Sequence, residues 1–172
     1  MKKSLYYTLP ALLLLAACAS TRNTVPAAGG SISITNSGKA WASVWQQRAA
    51  EYKALCFQAY NIARLRVDEA VKHPGGKPLA IVTDIDETVL DNSPYDAGRA
   101  MQNLDYSDAT WKNRTDKAAA DMVPGAPAFF KYAASKGVAI FYITNRNENE
   151  RAATLKNLQM YGLPYADDAH LQ

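Results

Sequence analysis

Two short apolar runs constrain the fold of this chain more than any other feature. Residues 78–83 and 138–143 each have the length of one strand, and polar residues follow each of them. Such continuous apolar runs are typical of strands that are covered on both faces in a parallel sheet. A helical pattern that begins at Pro124 and ends at Gly137 separates the two runs, and residues 148–161 form another.

This order of strand, helix, strand and helix predicts a doubly wound α/β domain with a partial parallel sheet. In such domains ligands bind at the carboxyl ends of the strands. Residues 89–123 lie between the first strand and its crossover helix, and they are numerous enough to form a small cap insertion. This insertion carries Tyr95, Tyr106 and Trp111.

A long amphipathic region precedes the first strand. Apolar residues recur at the helical period from Trp41 to Ala70, and the pattern ends at His73 and Pro74. This predicts one long helix or two helices with a bend. We interpret its aromatic residues as core residues, with a ligand-binding stripe as the alternative. Cys56 is interpreted as a small core residue rather than a nucleophile.

The N-terminus has the features of a secretory signal. Lys2 and Lys3 precede an apolar run, residues 5–17, that is shorter than the roughly 20 residues of a membrane span. Residues 15–18 resemble the bacterial lipobox, in which cleavage precedes a cysteine that then carries diacylglycerol. The alternative is ordinary signal cleavage near residue 17 or 19. We expect a signal at 1–17 and a lipid anchor on Cys18, attached to the bacterial outer membrane and facing the periplasm or the cell surface.

Composition then divides the rest of the chain. Residues 18–38 are rich in Ser, Thr, Asn, Gly and Ala and are expected to form a flexible tether, while residues 39–172 form the folded domain. The net charge of +3 is small and dispersed, so we expect no nucleic acid polymer as a partner. The two cysteines are too few for a disulfide scaffold or a zinc module. The sequence leaves the oligomeric state open.

The chemistry is expected where the first strand ends, at Asp84, Asp86 and Thr88. Two carboxylates at a buried strand end repel each other, and a divalent cation or one protonated carboxyl relieves that repulsion. One ionised carboxylate as nucleophile, one carboxyl as proton donor and a hard cation are the groups that phosphoryl transfer needs. The alternative is an acidic turn that caps the next helix.

The second strand ends in an equivalent motif. Thr144 offers a hydroxyl group and Asn145 a backbone amide at the start of the following helix, where a phosphate is favoured. Because the two strand ends meet at one edge of a parallel sheet, this motif favours the catalytic interpretation of Asp84 and Asp86.

At these residues the sequence resembles the haloacid dehalogenase (HAD) superfamily, and more narrowly the bacterial class C acid phosphatases. Many of those are secreted lipoproteins that act as 5'-nucleotidases. The segments that carry the resemblance are residues 45–47, 51–55, 58–60, 84–95, 123–126 and 141–146. The extended segment 84–95 is the most specific of them. The resemblance implies a HAD-like α/β fold.

The resemblance also implies roles for the site residues. Asp84 would become an aspartyl phosphate, and Asp86 would protonate the leaving alcohol and later deprotonate the hydrolytic water. The Asp84 carboxylate and the Asp86 backbone carbonyl would hold Mg²⁺. Thr88 would steady the loop, while Thr144 and the Asn145 amide would bind the transferring phosphoryl group. The substrate would be a phosphomonoester, and a nucleoside 5'-monophosphate in particular.

Further substrate contacts are expected from Arg146, Tyr95 and Trp111. For Arg146 the alternative is a surface ion pair with Glu148 or Glu150. A function of another class also stays open, namely a surface lipoprotein that binds a small aromatic ligand or a partner without catalysis.

The sequence departs from the family in one respect. The third-motif lysine and the fourth-motif acidic cluster are absent before Gln172, so we expect the N-terminal part of a longer protein. Asp167 and Asp168 are interpreted as a solvated turn rather than substitute ligands. The strand before Asp84 would then expose an edge along residues 79–82, and this chain alone is expected to be marginally folded, prone to association and nearly inactive as a phosphatase.

Overall fold

The structure, a computed structural model, describes residues 34–172. The predicted signal, the anchor at Cys18 and most of the predicted tether therefore lie outside the described residues. Within residues 34–172, none of the helices is both long enough and apolar enough to cross a membrane.

The described chain contains six α-helices and four short strands. In chain order they are α1 (Ile34–Arg48), α2 (Ala50–Lys72), β1 (Ala80–Thr83), β2 (Leu90–Asp91), α3 (Ser93–Met101), α4 (Asp108–Thr115), β3 (Asp121–Met122), α5 (Ala126–Ser135), β4 (Ala139–Tyr142) and α6 (Arg151–Met160). A 3-10 turn at Glu148–Glu150 leads directly into α6.

The N-terminal region forms two helices rather than one. Ala49 separates α1 from α2 with an extended backbone conformation (φ −76°, ψ 129°). Residues 34–38, the last part of the predicted tether, are helical and belong to α1. A partly buried contact ties these residues to the loop after α3, since Asn36 Nδ2 donates to Asn103 Oδ1 at 2.9 Å.

The aromatic residues of these helices are only partly core residues. Trp41 is 74% exposed, because α1 buries Asn36 and Ser43 instead and packs against α3. Trp45, the next aromatic residue of the periodic pattern, is 45% exposed. The core interpretation is therefore wrong for Trp41. Tyr60 of α2 does pack against the core, although it is not one of the periodic positions.

The parallel sheet that the sequence predicts is present. Strands β1 and β4 pair in parallel, with Thr83 opposite Tyr142, and helix α5 lies between them in the chain. On the other side of β4, Tyr142 N donates to His170 O and Gln172 N donates to Tyr142 O, both at 2.8 Å. Strand β4 thus lies between β1 and residues 170–172.

The main core forms where β4, α5 and α6 meet. Its fully buried members include Phe130, Ile140, Tyr142 and Leu158, together with Ile85 from the loop after β1. The insertion between β1 and α5 contains α3, α4 and an antiparallel ladder between β2 and β3. The core therefore fixes the loop after β1, on which the predicted acidic residues lie.

Strand β1 is less covered than a strand buried on both faces. Val82 is 65% exposed, and within residues 34–172 β1 pairs with β4 alone. An apolar cleft of about 430 Å³ runs beside this strand, and Val67, Leu79, Ile81 and Phe129 are among its lining residues. An uncovered apolar strand edge is a template for association with another chain.

We expect the Val82→Lys substitution to reduce self-association of the purified chain, because a charge on an edge strand opposes edge-to-edge pairing. Val44→Lys is the matched control, since Val44 is also exposed but lies on a helix. Sedimentation at several protein concentrations measures the effect. Equal association of wild type and Val82→Lys, or equal suppression by both substitutions, would contradict this expectation.

Candidate active site

The loops after β1 and β4 meet in one cleft at the carboxyl ends of the two strands. Thr83 O accepts a hydrogen bond from Ile143 N at 2.8 Å, which continues the parallel pairing into both loops. The cleft has a volume of about 310 Å³, and its lining residues are Val82, Thr83, Asp84, Ile143, Thr144 and Asn145. The structure thus brings Asp84, Thr144 and Asn145 together, as the order of strands predicted.

The loop after β1 is a tight turn that holds its acidic residues outward. Ile85 is fully buried, and its carbonyl accepts hydrogen bonds from Val89 N at 2.7 Å and Leu90 N at 2.8 Å. Because successive residues of extended chain point to opposite sides, burial of Ile85 directs Asp84 and Asp86 away from the core. Glu87 has a positive φ of 58°, which reverses the chain direction within the turn.

Asp84 is exposed in the cleft and makes one side-chain hydrogen bond within the described chain. The Thr88 hydroxyl donates to Asp84 Oδ2 at 3.0 Å. Thr88 therefore orients the carboxylate through one oxygen and leaves Oδ1 free of protein donors among residues 34–172.

Asp86 forms a largely buried ion pair with Arg146. The Arg146 Nη2 atom lies 2.6 Å from Asp86 Oδ1, and Nε lies 3.0 Å from Oδ2. The Arg146 side chain is 3% exposed and the Asp86 side chain is 22% exposed. Asn92 Nδ2 adds a third donor to Oδ1 at 2.7 Å. This bidentate ion pair joins the loop after β1 to the loop after β4.

The alternative prediction of a surface pair for Arg146 is wrong. Glu148 pairs with Arg151 at 2.6 Å instead. Glu150 is buried, and its two carboxylate oxygens accept from the Thr115 hydroxyl at 2.6 Å and from Asn147 N at 2.8 Å. Glu150 closes a capping box at the start of the 3-10 turn, so both glutamates already have partners other than Arg146.

Two further contacts fix the orientation of Arg146. Its Nη1 atom donates to the Thr154 hydroxyl at 3.1 Å, and its backbone N donates to the Thr144 hydroxyl at 3.2 Å. The guanidinium carbon lies 5.6 Å from the centre of the Trp111 ring. Trp111 is therefore a neighbour of the ion pair and places the cap insertion beside the site.

Tyr95 contacts Trp111 but does not line the cleft that contains Asp84. Its ring packs edge-on against Trp111 at 5.3 Å, and its hydroxyl forms a 2.9 Å hydrogen bond with the Thr110 hydroxyl. Tyr106 lies on the same ring, with a centroid distance of 6.2 Å.

Asp167 and Asp168 occupy a turn, as predicted. Asp167 Oδ1 accepts from Ala169 N at 3.0 Å and lies 2.7 Å from His170 Nδ1. The hydrogen bond with His170 is the main cause that lowers the pKa of Asp167. The Asp168 side chain is 81% exposed. Neither carboxylate faces the cleft that contains Asp84.

The loop after β1 carries a surplus of negative charge. Although Glu87 as a residue is exposed, partial desolvation of its carboxyl group raises its pKa to about 7, and the charges of Asp86, Asp96 and Asp91 contribute. The hydrogen bond from Asn92 N opposes this rise. A cation near the loop would relieve the repulsion.

The predicted metal ligands fit a hard divalent cation as part of its coordination shell. The Asp84 carboxylate and the Asp86 carbonyl are oxygen donors, the type that Mg²⁺ prefers. Residues 34–172 contain no cluster of three or more His, Cys, Asp or Glu residues that could hold a metal ion by itself. These two donors would therefore need further oxygen ligands.

Two residues of the site were missed by sequence reasoning. Asn92 lies in the segment 84–95 that carried the family resemblance, but no role had been assigned to it. Thr154 gave no sequence signal, because its contact with Arg146 depends on how the 3-10 turn sets α6. Residues 147–150, Asn-Glu-Asn-Glu, did contain the signal for the turn, since Asn followed three residues later by Glu is typical of a helix start.

We expect Arg146→Met to lower the free energy of unfolding by about 3 kcal/mol, because it leaves Asp86 largely buried without its cation. Arg66→Met is the matched control. Its ion pair with Glu69 is exposed, and such pairs contribute less than about 1 kcal/mol. Denaturant unfolding of both variants measures the difference, and equal losses would contradict the importance of the buried pair.

Comparisons with known proteins agree with this geometry. The family model described as HAD superfamily, subfamily IIIB (acid phosphatase) matches residues 2–172. Two solved structures of the class C acid phosphatase from Bacillus anthracis, one of them with tungstate bound, are similar to this chain at 43% sequence identity and a TM-score of 0.76. Each match covers 79% of this chain and 57% of the Bacillus chain.

The present chain thus spans little more than half the length of those solved relatives. The family match nevertheless extends over nearly all of the 172 residues and includes both strand-end motifs. The chain belongs to the acid phosphatases of subfamily IIIB of the HAD superfamily.

Proposed function

We propose that the protein hydrolyses phosphomonoesters through an aspartyl phosphate formed on Asp84. The observation that carries this proposal is the cleft in which Asp84, held by Thr88, lies beside Thr144 and Asn145. Tungstate, the ion bound in one Bacillus structure, is a tetrahedral oxyanion like phosphate. That a relative binds such an ion supports binding of a phosphoryl group by a member of this family.

The first half-reaction transfers the phosphoryl group to Asp84. Oδ1 of Asp84 attacks phosphorus, and the bond between phosphorus and the ester oxygen breaks. Asp86 is the proposed proton donor to the departing oxygen, so that the alcohol leaves neutral. For this step its carboxyl must leave the pair with Arg146 and take up a proton. Thr144 and the Asn145 amide hold the phosphoryl oxygens from the opposite loop.

The second half-reaction releases phosphate. Water attacks phosphorus, the bond to Asp84 breaks, and Asp86 takes the proton from the water. Arg146 and Asn92 both contact the Asp86 carboxylate and hold it in place. We propose an acidic optimum, because the first half-reaction needs the protonated carboxyl of Asp86.

Mg²⁺ is proposed as the cofactor, held by the Asp84 carboxylate and the Asp86 carbonyl, where it would neutralise charge on the transferring phosphate. The oxygen donors of Asp84 and Asp86, the type of ligand that Mg²⁺ prefers, support this proposal.

The proposed substrates are nucleoside 5'-monophosphates. The Trp111 ring lies 5.6 Å from the guanidinium carbon of Arg146, next in sequence to Asn145, and is flanked by Tyr95 and Tyr106, which supports aromatic contact with a nucleobase. Aromatic rings bind nucleobases by stacking, at about 1–3 kcal/mol for each base.

We expect Asp84→Asn to abolish phosphate release from p-nitrophenyl phosphate and from AMP by the complete gene product, because the amide is not a nucleophile for phosphorus. Asp168→Asn is the matched control and should retain wild-type turnover, since Asp168 lies in an exposed turn. A chelator should stop wild-type turnover, and added Mg²⁺ should restore it.

Turnover by Asp84→Asn at near wild-type rate would overturn the nucleophile assignment. No phosphate release by the wild type with any monoester would favour the alternative, a binding lipoprotein without catalysis.

We propose further that Cys18 carries lipid and anchors the protein to the outer membrane. Residues 15–18 support this through their likeness to the lipobox, and a cysteine with two or more acyl chains binds membranes stably whereas one chain binds only marginally. Ala19 is not the aspartate that favours retention at the inner membrane in enteric bacteria.

We expect Cys18→Ser to lose incorporation of radioactive palmitate and to leave the detergent phase on partition. Cys56→Ser is the matched control and should keep both properties, because Cys56 is a partly buried residue of α2. Palmitate labelling of Cys18→Ser would rule out the anchor.

A further inference from the structure

Helix α2 contacts the loop that carries the proposed nucleophile, although the two are separate in sequence. The Tyr60 hydroxyl donates to the backbone carbonyl of Thr88 at 2.5 Å. The Thr88 hydroxyl in turn donates to Asp84 Oδ2 at 3.0 Å. One residue, Thr88, is thus held by α2 through its backbone while it orients Asp84 through its side chain.

Packing fixes the Tyr60 ring in this position. The ring lies 5.3 Å from the ring of Phe129 and 6.0 Å from that of Phe130, both on α5. Gly125, just before α5, has a φ of 90°, which favours glycine. A Cβ at Gly125 would lie 3.1 Å from Tyr60 Cδ2 and 3.2 Å from Phe57 Cδ1, so the absence of a side chain allows the close approach.

The Tyr60 hydroxyl is a donor at every pH at which the protein would work. Burial is the main cause that raises the pKa of Tyr60 to about 12. The phenol therefore keeps its proton. Its contact with Thr88 O persists as a neutral hydrogen bond.

We propose that Tyr60 is a positioning residue, which fixes the Thr88 peptide so that the Thr88 hydroxyl holds Asp84 ready for attack on phosphorus. This inference rests on the proposed function, because it takes Asp84 as the nucleophile. Rigid support of a reacting group matters, since displacements of about 1 Å can lower rates by two orders of magnitude. The inference also assigns a role to Gly125 within residues 123–126, which is to allow the close approach of the Tyr60 ring.

The test is Tyr60→Phe in the complete gene product, which removes the hydroxyl and keeps the ring. Tyr132→Phe is the matched control, because the Tyr132 hydroxyl also links α5 to α2, through Asp68, but does not touch the loop after β1. We expect Tyr60→Phe to lower kcat about tenfold with little change in KM, and Tyr132→Phe to leave kcat unchanged.

A double substitution distinguishes positioning from general stabilisation. Thr88→Val removes the hydroxyl through which Tyr60 would act, so adding Tyr60→Phe to Thr88→Val should change kcat by no more than about twofold. Independent, multiplying losses in the double variant would overturn the inference. So would an unchanged kcat in Tyr60→Phe, or equal losses in Tyr60→Phe and Tyr132→Phe.

Amide hydrogen exchange gives a readout that does not need turnover. The amides of Val89 and Leu90 both bond to Ile85 O within the loop. Tyr60→Phe should speed their exchange and Tyr132→Phe should not. If the wild type releases no phosphate, the proposed function fails, whereas unchanged exchange in Tyr60→Phe overturns the contact itself.

Discussion

The parallel pairing of β1 with β4 is the constraint on which the rest of the site depends. Because Thr83 lies opposite Tyr142 and Ile143 N bonds to Thr83 O, both strands end at one level. Their loops must then share one cleft, with Asp84 on one side and Thr144 on the other. A slip by one residue would turn the side chains of β1 to the opposite face of the sheet.

Polar contacts attach the cap insertion and the loop after β4 to the rest of the domain. The pair between Asp86 and Arg146 joins the two loops, and the bond between Thr115 and Glu150 joins α4 to the turn before α6. Asn157 adds two hydrogen bonds to the backbone of Ala120, at 2.9 and 3.0 Å. Buried polar groups are costly unless they are paired, so these partners specify one arrangement of cap and core.

Local sequence order predicted the parts of the site that lie at strand ends. Asp84, Thr144 and Asn145 follow apolar runs directly, so the fold class alone placed them together. The pairing of Arg146 with Asp86 could not be predicted from local sequence, because Asp86 lies 60 residues earlier. The glutamates at positions 148 and 150 are much nearer in sequence and were therefore the expected partners. The exposure of Trp41 and the helical conformation of residues 34–38 depend on how α1 packs against α3, which helical periodicity does not encode.

The central claim is that Asp84 becomes covalently phosphorylated during turnover. Acid quench of the complete gene product with a phosphomonoester, then borohydride reduction and peptide mapping, tests it most directly, since reduction converts an aspartyl phosphate to homoserine. We expect homoserine at position 84 after incubation with substrate and none without it. Continued phosphate release with no homoserine at position 84, or with homoserine at another aspartate, would contradict it.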